Sequence, residues 1–119
     1  MSIAKNFKEL DVWKKSIELV GKIYVITGKF PKEEIYGLVS QMRRSAVSAP
    51  SNIAEGFRRG HTKEFKQFLN IAAGSLAELE TQIIISNELQ YLNSNDFMSL
   101  SEVIDHISRM IFNLQKKLI

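Results

Sequence analysis

The apolar residues of this chain recur every three or four positions in four separate segments, and that interval is the period of an α-helix. In the second segment the register runs from Ile35 to Phe57 and passes through Pro50 without changing phase. Proline normally ends or kinks a helix, because it lacks an N–H and pushes against the carbonyl four residues back. A helix that ended at Pro50 would have no reason to keep its phase. The register therefore predicts one continuous helix with a kink at Pro50.

Turn and capping residues separate the four segments. Asp11 and Thr62 are predicted N-caps, Gly28 follows the first segment, and Asn93 opens the Asn-Ser-Asn stretch before the last one. Because the connections are only a few residues long, consecutive helices are expected to run antiparallel. The predicted fold is an all-α, antiparallel up-down-up-down four-helix bundle that forms a single domain. Its helices are expected at about 12–27, 32–59, 62–91 and 95–117.

The third segment has two apolar faces. One face contains Phe65, Leu69 and Leu76, and a second lies more than about 100° around the helix. A helix with two apolar faces is either central in its own fold or part of a subunit interface. The residues of the second face are the candidate oligomer interface: Phe68, Ile71, Ile85 and Leu89.

Composition excludes several classes of protein. The chain has 119 residues, 45% of them hydrophobic, which suits one globular core and is too apolar for disorder. No apolar run approaches the roughly 20 residues that span a bilayer, and no secretory signal segment is evident. Cysteine is absent, which excludes disulfides and thiolate chemistry. A cytoplasmic protein without a membrane partner is expected.

Catalytic chemistry finds little support in the sequence. The six glycines are scattered and form no phosphate-binding loop, and no serine lies in a nucleophile elbow. Glu102, Asp105 and His106 are the only acid–histidine group on a helix, and a solvated face explains them better than a bundle metal site does. We therefore expect no catalytic residue, no metal and no cofactor.

Charge is unevenly distributed along the chain. Residues 1–66 hold 13 Lys and Arg against 7 Asp and Glu, whereas residues 67–119 hold 3 against 6. Such segregation is typical of a protein with a basic face for nucleic acid. It is equally compatible with neighbouring helices that attract one another within the bundle.

The basic residues occur largely in pairs, and one face of the second helix combines arginine with small hydroxyls. Arg44, Ser48, Ser51 and Arg59 share that face, and guanidinium and hydroxyl groups both donate hydrogen bonds to phosphate. Glu55 lies four residues before Arg59, so those two are also able to pair with each other. No aromatic residues are recognisably arranged to stack on bases. The predicted nucleic-acid-binding residues are Lys14, Lys15, Arg43, Arg44, Arg58, Arg59, Lys63 and Lys66.

Glu80 falls close to the buried face of the third helix in the helical projection. An ionised carboxylate at such a position needs a partner. Arg43 or Arg44 on the preceding helix would supply one, and a structural ion pair between Glu80 and Arg43 is the preferred interpretation. The alternatives are that Glu80 is a lone buried acid–base group or that it is exposed.

Three blocks of sequence also resemble a known family. The stretch from Arg43 to Gly56, RRSAVSAPSNIAEG, resembles the signature of the four helix bundle proteins, also called 23S rRNA intervening-sequence proteins. The opening LDVWK from Leu10 and the later SLAELETQ from Ser75 resemble that family's other blocks. The similarity extends over about residues 7–116.

The resemblance implies a four-helix fold, a ring-like homopentamer and no enzyme activity. Relatives of that family include the accessory variability determinant of diversity-generating retroelements, a basic pentamer that binds nucleic acid and a reverse transcriptase. Other members are encoded within insertions in bacterial large-subunit rRNA genes. The resemblance therefore implies nucleic acid, and a reverse transcriptase or another protein, as partners.

Two functional hypotheses follow from the residues and the resemblance together. The first is a non-enzymatic, oligomeric nucleic-acid-binding protein, with RNA favoured over DNA. The second is a protein-interaction scaffold that binds a partner chain without nucleic acid. A binding affinity for RNA that falls steeply with salt favours the first, and salt-insensitive binding to one protein favours the second.

Overall fold

Four α-helices account for most of the chain in a computed structural model that describes residues 3–118, and those residues contain no strand. Short 3-10 helices precede α1 and α2, at Phe7–Glu9 and Lys32–Glu34. The all-α, four-helix prediction is confirmed. The bounds of the helices are α1, Asp11–Thr27; α2, Leu38–Arg58; α3, Thr62–Glu88; and α4, Ser94–Lys117.

The second helix begins later than the sequence predicted. Residues 32–34 form a 3-10 turn, and α2 starts only after Gly37, whose backbone is not helical (φ −110°, ψ −114°). The Glu34 carboxylate Oε1 accepts a hydrogen bond from the Leu38 amide at 3.2 Å. That bond satisfies an N–H which the first turn of a helix leaves without a backbone partner. The acidic residue therefore starts the helix at Leu38 instead of lying inside it.

The capping predictions are partly wrong. Leu10 and His61 are the N-caps of α1 and α3, and neither makes a side-chain capping bond, so Asp11 and Thr62 are the first helical residues. Asn93 does cap α4, because its side chain accepts from the Asp96 amide at 2.7 Å. At the other end of α3 the helix stops at Glu88, shortly before Gln90, which has a positive φ of 64°.

Helix α2 continues through Pro50, as the apolar register predicted. Side chains next to the proline bond the carbonyls of the preceding turn: Ser51 Oγ donates to the Val47 carbonyl at 2.8 Å. Asn52 Nδ2 donates to the Ser48 carbonyl at 2.8 Å. The carbonyl that lacks a donor because of the proline is that of Ala46, so these two bonds support the turn next to it and do not replace the missing bond. The kink itself remains a prediction.

Each helix packs against two others: α1 against α2 and α4, and α3 against the same two. Contacts between α2 and α3 pair early residues of one with late residues of the other. Met42 contacts Ser86, Ser48 contacts Ser75, and Gly56 lies against Phe68. The antiparallel course of the whole bundle remains a prediction. The core residues with the largest fully buried side chains include Leu19, Ile23, Met42, Ile53, Phe65, Leu69, Leu76, Leu79, Ile83, Leu100, Ile104 and Ile107.

Candidate nucleic-acid interface

Six of the eight predicted binding residues gather at one end of the bundle, where α2 ends, α3 begins and α1 begins. Arg58 lies over the ring of Phe7, with its guanidinium carbon 5.3 Å from the ring centroid. Phe7 in turn packs edge-on against Trp13 in the first turn of α1, with centroids 5.3 Å apart. This chain of contacts brings the α1 lysines close to the end of α2. We call this cluster the basic end: Lys14, Lys15, Arg58, Arg59, Lys63 and Lys66.

The last turn of α4 adds two cations that the sequence did not assign to binding. Gln115 Nε2 donates to Asn70 Oδ1 at 2.7 Å and to the Lys66 carbonyl at 3.3 Å. The end of α4 therefore lies beside the first turns of α3, and Lys116 and Lys117 are exposed there. Their position in a last helical turn suggested only a favourable interaction with the helix dipole. Only the packing of α4 on α3 brings them near the basic end.

Two members of the basic end are already paired with carboxylates. Arg59 binds Glu55 at 3.0 Å and Glu64 at 3.4 Å. Lys15 lies 3.4 Å from Glu18. All of these side chains are substantially exposed, so each pair contributes at most about 1 kcal/mol to stability and exchanges readily with other ligands. Within residues 3–118, no salt bridge forms at Lys14, Arg58, Lys63 or Lys66.

The predicted ion pair between Glu80 and Arg43 is wrong. Glu80 is exposed, and the Arg43 guanidinium is held by α1. Arg43 Nε donates to Thr27 Oγ1 at 3.0 Å, and Nη2 donates to the Tyr24 carbonyl at 3.3 Å. The guanidinium carbon also lies 4.4 Å from the centroid of the Tyr24 ring, where a cation is attracted by the ring's electrons. Arg43 therefore joins the end of α1 to the start of α2.

Arg43 and Arg44 lie far from the basic end, on the wall of an open groove. Along α2, the 14 residues from Arg44 to Arg58 span about 21 Å. The groove has a volume of about 960 Å³ and lies between the end of α1, the connection to α2 and the first half of α2. Tyr24, Tyr36 and Lys32 line it together with the two arginines. We call it the tyrosine groove. Its two rings were not predicted as a site from the sequence, because they are twelve positions apart in the chain and line one groove only when the helices pack.

A network of short bonds holds the turn that carries Tyr36. Glu34 caps α2 through Oε1 and accepts a hydrogen bond from the Tyr91 hydroxyl through Oε2 at 3.0 Å. This bond, with burial and the nearby charges of Glu34 and Glu33, raises the pKa of Tyr91 above the ordinary tyrosine value of 10.0. Tyr91 therefore remains a hydrogen-bond donor at neutral pH. A β-carbon on Gly37 would lie 2.6 Å from Glu34 Oε1, so glycine leaves the room that this carboxylate needs.

A family model, described as 23S rRNA-intervening sequence protein, matches residues 8–113. The chain belongs to this family. A solved structure of a protein with unknown function from the S23 ribosomal protein family of Bacteroides thetaiotaomicron VPI-5482 is similar in fold, with a TM-score of 0.79. The similarity covers 88% of this chain and 98% of that one, at 22% sequence identity. No curated protein matches the chain in sequence.

In this member of the 23S rRNA-intervening sequence protein family, the candidate oligomer residues do not form one uniform face. Phe68 is half-buried against Gly56, and the Arg59 guanidinium carbon lies 5.0 Å from the centroid of its ring. Ile71, Ile85 and Leu89 are each 43–50% exposed. The exposed apolar surface of α3 and its C-cap therefore includes these last three residues and Ile84, whereas Phe68 belongs largely to the contact between α2 and α3.

A second exposed apolar face lies on α1 and was not predicted. Ile17, Tyr24 and Val25 are 44–66% exposed, although they occupy a helix whose other side is in the core. Ile17 and Tyr24 are seven residues apart, close to two turns, and differ by only about 20° around the helix, whereas Val25 lies about 80° from Ile17. The two exposed faces belong to helices that each pack against α2 and α4 and not against each other.

The acidic and histidine side chains of residues 3–118 form no metal site, whereas α3 has the length and composition of a membrane-spanning helix. Across residues 3–118, no group of three or more His, Cys, Asp or Glu side chains is placed to hold a metal. Asp105 instead pairs with Arg109 at 3.5 Å.

Helix α3 is long and apolar enough to cross a membrane by length and composition. Its apolar residues Phe65, Leu69 and Leu76 are fully buried in this family member, as in the core helix of a bundle.

Proposed function

We propose that this protein is a non-enzymatic, oligomeric, cytoplasmic nucleic-acid-binding protein, with RNA as its ligand. The observation that supports the proposal is the basic end, where cationic residues of α1, α2 and α3 lie at the same end of the bundle. Among residues 3–118, Arg58, Lys14, Lys63 and Lys66 are not engaged in salt bridges. Cations without a carboxylate partner are available to phosphate, and phosphate contacts supply most of the affinity in nonspecific binding. The names of the family and of its structural neighbour, which refer to rRNA and to the ribosome, favour RNA over DNA.

Binding at this surface is expected to be largely independent of base sequence. Lysine and arginine on exposed helix ends contact phosphates, which carry no sequence information directly. Arg59 is able to exchange its partners Glu55 and Glu64 for phosphate, because both pairs are exposed and weak. Affinity therefore depends on the number of phosphates that the surface reaches and on the salt concentration.

Replacing Arg58 and Arg59 with glutamine is expected to weaken RNA binding and to lower its dependence on salt. Each phosphate contact that is lost reduces the slope of log affinity against log salt by about one unit. The double variant should therefore lose about two units of slope, with similar weakening for every RNA sequence. Fluorescence anisotropy with a labelled RNA, titrated at several salt concentrations, measures both quantities.

A matched control removes the same two positive charges elsewhere. Lys22 on α1 and Arg109 on α4 are exposed and lie outside the basic end, so their replacement by glutamine should leave the slope nearly unchanged. Equal losses in the two double variants would show that net charge, and not this surface, governs binding. An unmodified protein that binds no RNA at low salt would exclude the proposed function itself.

We further propose that the chain assembles into a closed ring, with a homopentamer as the expected form. A ring requires two different surfaces on each copy, one of which binds the other on the next copy. The exposed face of α1 (Ile17, Tyr24, Val25) and that of α3 (Ile71, Ile85, Leu89) support such head-to-tail association. A ring repeats the basic end several times, so modest contacts add through multivalency.

Replacing Ile71 and Leu89 with aspartate is expected to lower the mass of the particle, because buried carboxylates without partners oppose association. Multi-angle light scattering across a concentration series measures that mass. Met98 on α4 is 58% exposed and outside both faces, so Met98→Asp should leave the mass unchanged. A wild-type protein that stays monomeric at micromolar concentration would contradict the ring.

The same exposed apolar faces favour a second function, a scaffold that binds a partner protein such as a reverse transcriptase. In that case the basic residues serve the partner protein instead of RNA. Binding to a protein through apolar faces would depend weakly on salt, whereas RNA binding depends on it steeply. The slope of log affinity against log salt therefore separates the two functions.

A further inference from the structure

The tyrosine groove combines exposed aromatic rings with cations and lies outside the basic end. Tyr36 is 96% exposed, so almost its whole side chain is available to a ligand. Lys32, Arg43 and Arg44 line the same groove, and none of the lining residues is an aspartate or glutamate. Two acids adjoin lining residues in the chain: Glu33 is exposed, and Glu34 is engaged with the Leu38 amide and the Tyr91 hydroxyl. The groove therefore favours a ligand that carries both a planar apolar surface and a negative charge.

Intramolecular contacts hold the groove in its shape without a ligand. Arg43 is fixed by two hydrogen bonds to α1 and by the Tyr24 ring, which uses two of the five N–H donors of its guanidinium. The remaining donors are available to an anion. Arg44 is exposed and makes no salt bridge within the described part of the chain. The turn that carries Tyr36 is held by Glu34, so a ligand would not have to order it first.

We propose that the tyrosine groove binds one unpaired nucleotide of an RNA strand, with its base on Tyr36 and its phosphate at Arg44 and Lys32. This inference rests on the proposed RNA-binding function and adds a preference for single strands. Bases stack on exposed aromatic rings whatever their identity, since each base has a π-face. Arginine and lysine next to such rings neutralise the adjoining phosphate.

The size of the groove argues against a double helix as its ligand. At about 960 Å³ it matches the upper range of small-molecule pockets, about 300–1,000 Å³. A base within a duplex is stacked on both faces and is not available to Tyr36. An unpaired nucleotide exposes both its base and its phosphate, as single-strand-binding proteins require.

Tyr36→Ala is expected to weaken binding of a single-stranded oligouridine about tenfold, because one stacking contact is lost. Binding of an RNA duplex of equal length should change less than twofold, since the basic end is intact. Tyr36→Phe retains the ring and should bind the single strand as the wild type does. Fluorescence anisotropy of the full chain with both RNAs at one salt concentration gives these three comparisons. Since the Tyr36 side chain is almost fully exposed, both variants should fold, and a thermal melt checks this.

Four outcomes overturn the inference, and they are distinguishable from one another. Equal weakening of single-strand and duplex binding, or no weakening of either, excludes the groove but leaves RNA binding at the basic end in place. Failure of Tyr36→Phe to restore the wild-type affinity excludes stacking. A lower particle mass for Tyr36→Ala assigns the groove to contact between copies of the chain instead of RNA. A wild-type protein that binds neither RNA overturns the groove and the proposed function together.

Discussion

Replacing Gly56 with alanine is expected to lower the free energy of unfolding by about 1–3 kcal/mol. Gly56 is buried in α2, where that helix lies close against Phe65 and Phe68 of α3. A β-carbon at this position would overlap with Phe68 Cβ and lie 3.2 Å from Phe65 Cδ1. The first clash is near the backbone of α3, so rotating a flexible side chain cannot relieve it. The two helices would have to separate, and that opens the packed core between them.

The matched control is Gly21→Ala in the middle of α1. No atom lies within 4 Å of the β-carbon that this change adds. Alanine favours a helix over glycine by about 0.5–1 kcal/mol, so the control should be neutral or stabilising. Urea denaturation at one protein concentration measures both variants. If Gly56→Ala proves as stable as the wild type, the close approach of α2 and α3 at Gly56 is wrong.

Ile83→Ala is expected to destabilise the protein by about 2–5 kcal/mol, the largest effect we predict for a single substitution. Ile83 is 1% exposed in α3, and three carbon atoms would be removed from a fully packed site. The loss combines the transfer free energy of the buried atoms with the cavity that remains. Urea denaturation followed by circular dichroism measures the change.

Ile84, its neighbour in the chain, provides the control. It is 49% exposed and is flanked on its side of α3 by Glu80, Thr81 and Glu88. Ile84→Ala alters the same side chain in the same helix and should change stability by less than about 0.5 kcal/mol. Similar effects at positions 83 and 84 would contradict the orientation of α3 in the bundle.

The stretch that carries the family resemblance, Arg43 to Gly56, mainly makes contacts between the helices of this chain. Arg43 joins α2 to α1, Ser48 bonds Ser75 across to α3 at 2.8 Å, and Gly56 permits the close approach of α3. The resemblance is therefore informative about the fold. It says less about the ligand, because the basic end depends mostly on residues outside that stretch.

Spacing of apolar residues was enough to predict the helices and the passage of α2 through Pro50. Helical periodicity depends only on which side of a helix is buried, and the positions of the apolar residues along the chain show that side directly. The start of α2 was misplaced because Glu33 and Glu34 match the acids of a first helical turn. Glu34 instead caps the helix from outside and binds Tyr91, a residue 57 positions away.

Tertiary structure alone decided the composition of both candidate sites. The chain by itself determined four helices, a core and an excess of cations in residues 1–66. It did not determine that Trp13 and Arg58 both contact Phe7, that Arg43 bonds Thr27 instead of Glu80, or that Tyr24 and Tyr36 line one groove. A helical period defines how each helix is buried, but not which neighbour faces a given exposed side chain. That depends on how the helices are rotated and shifted against one another, which the packing of residues such as Gly56 against Phe68 decides.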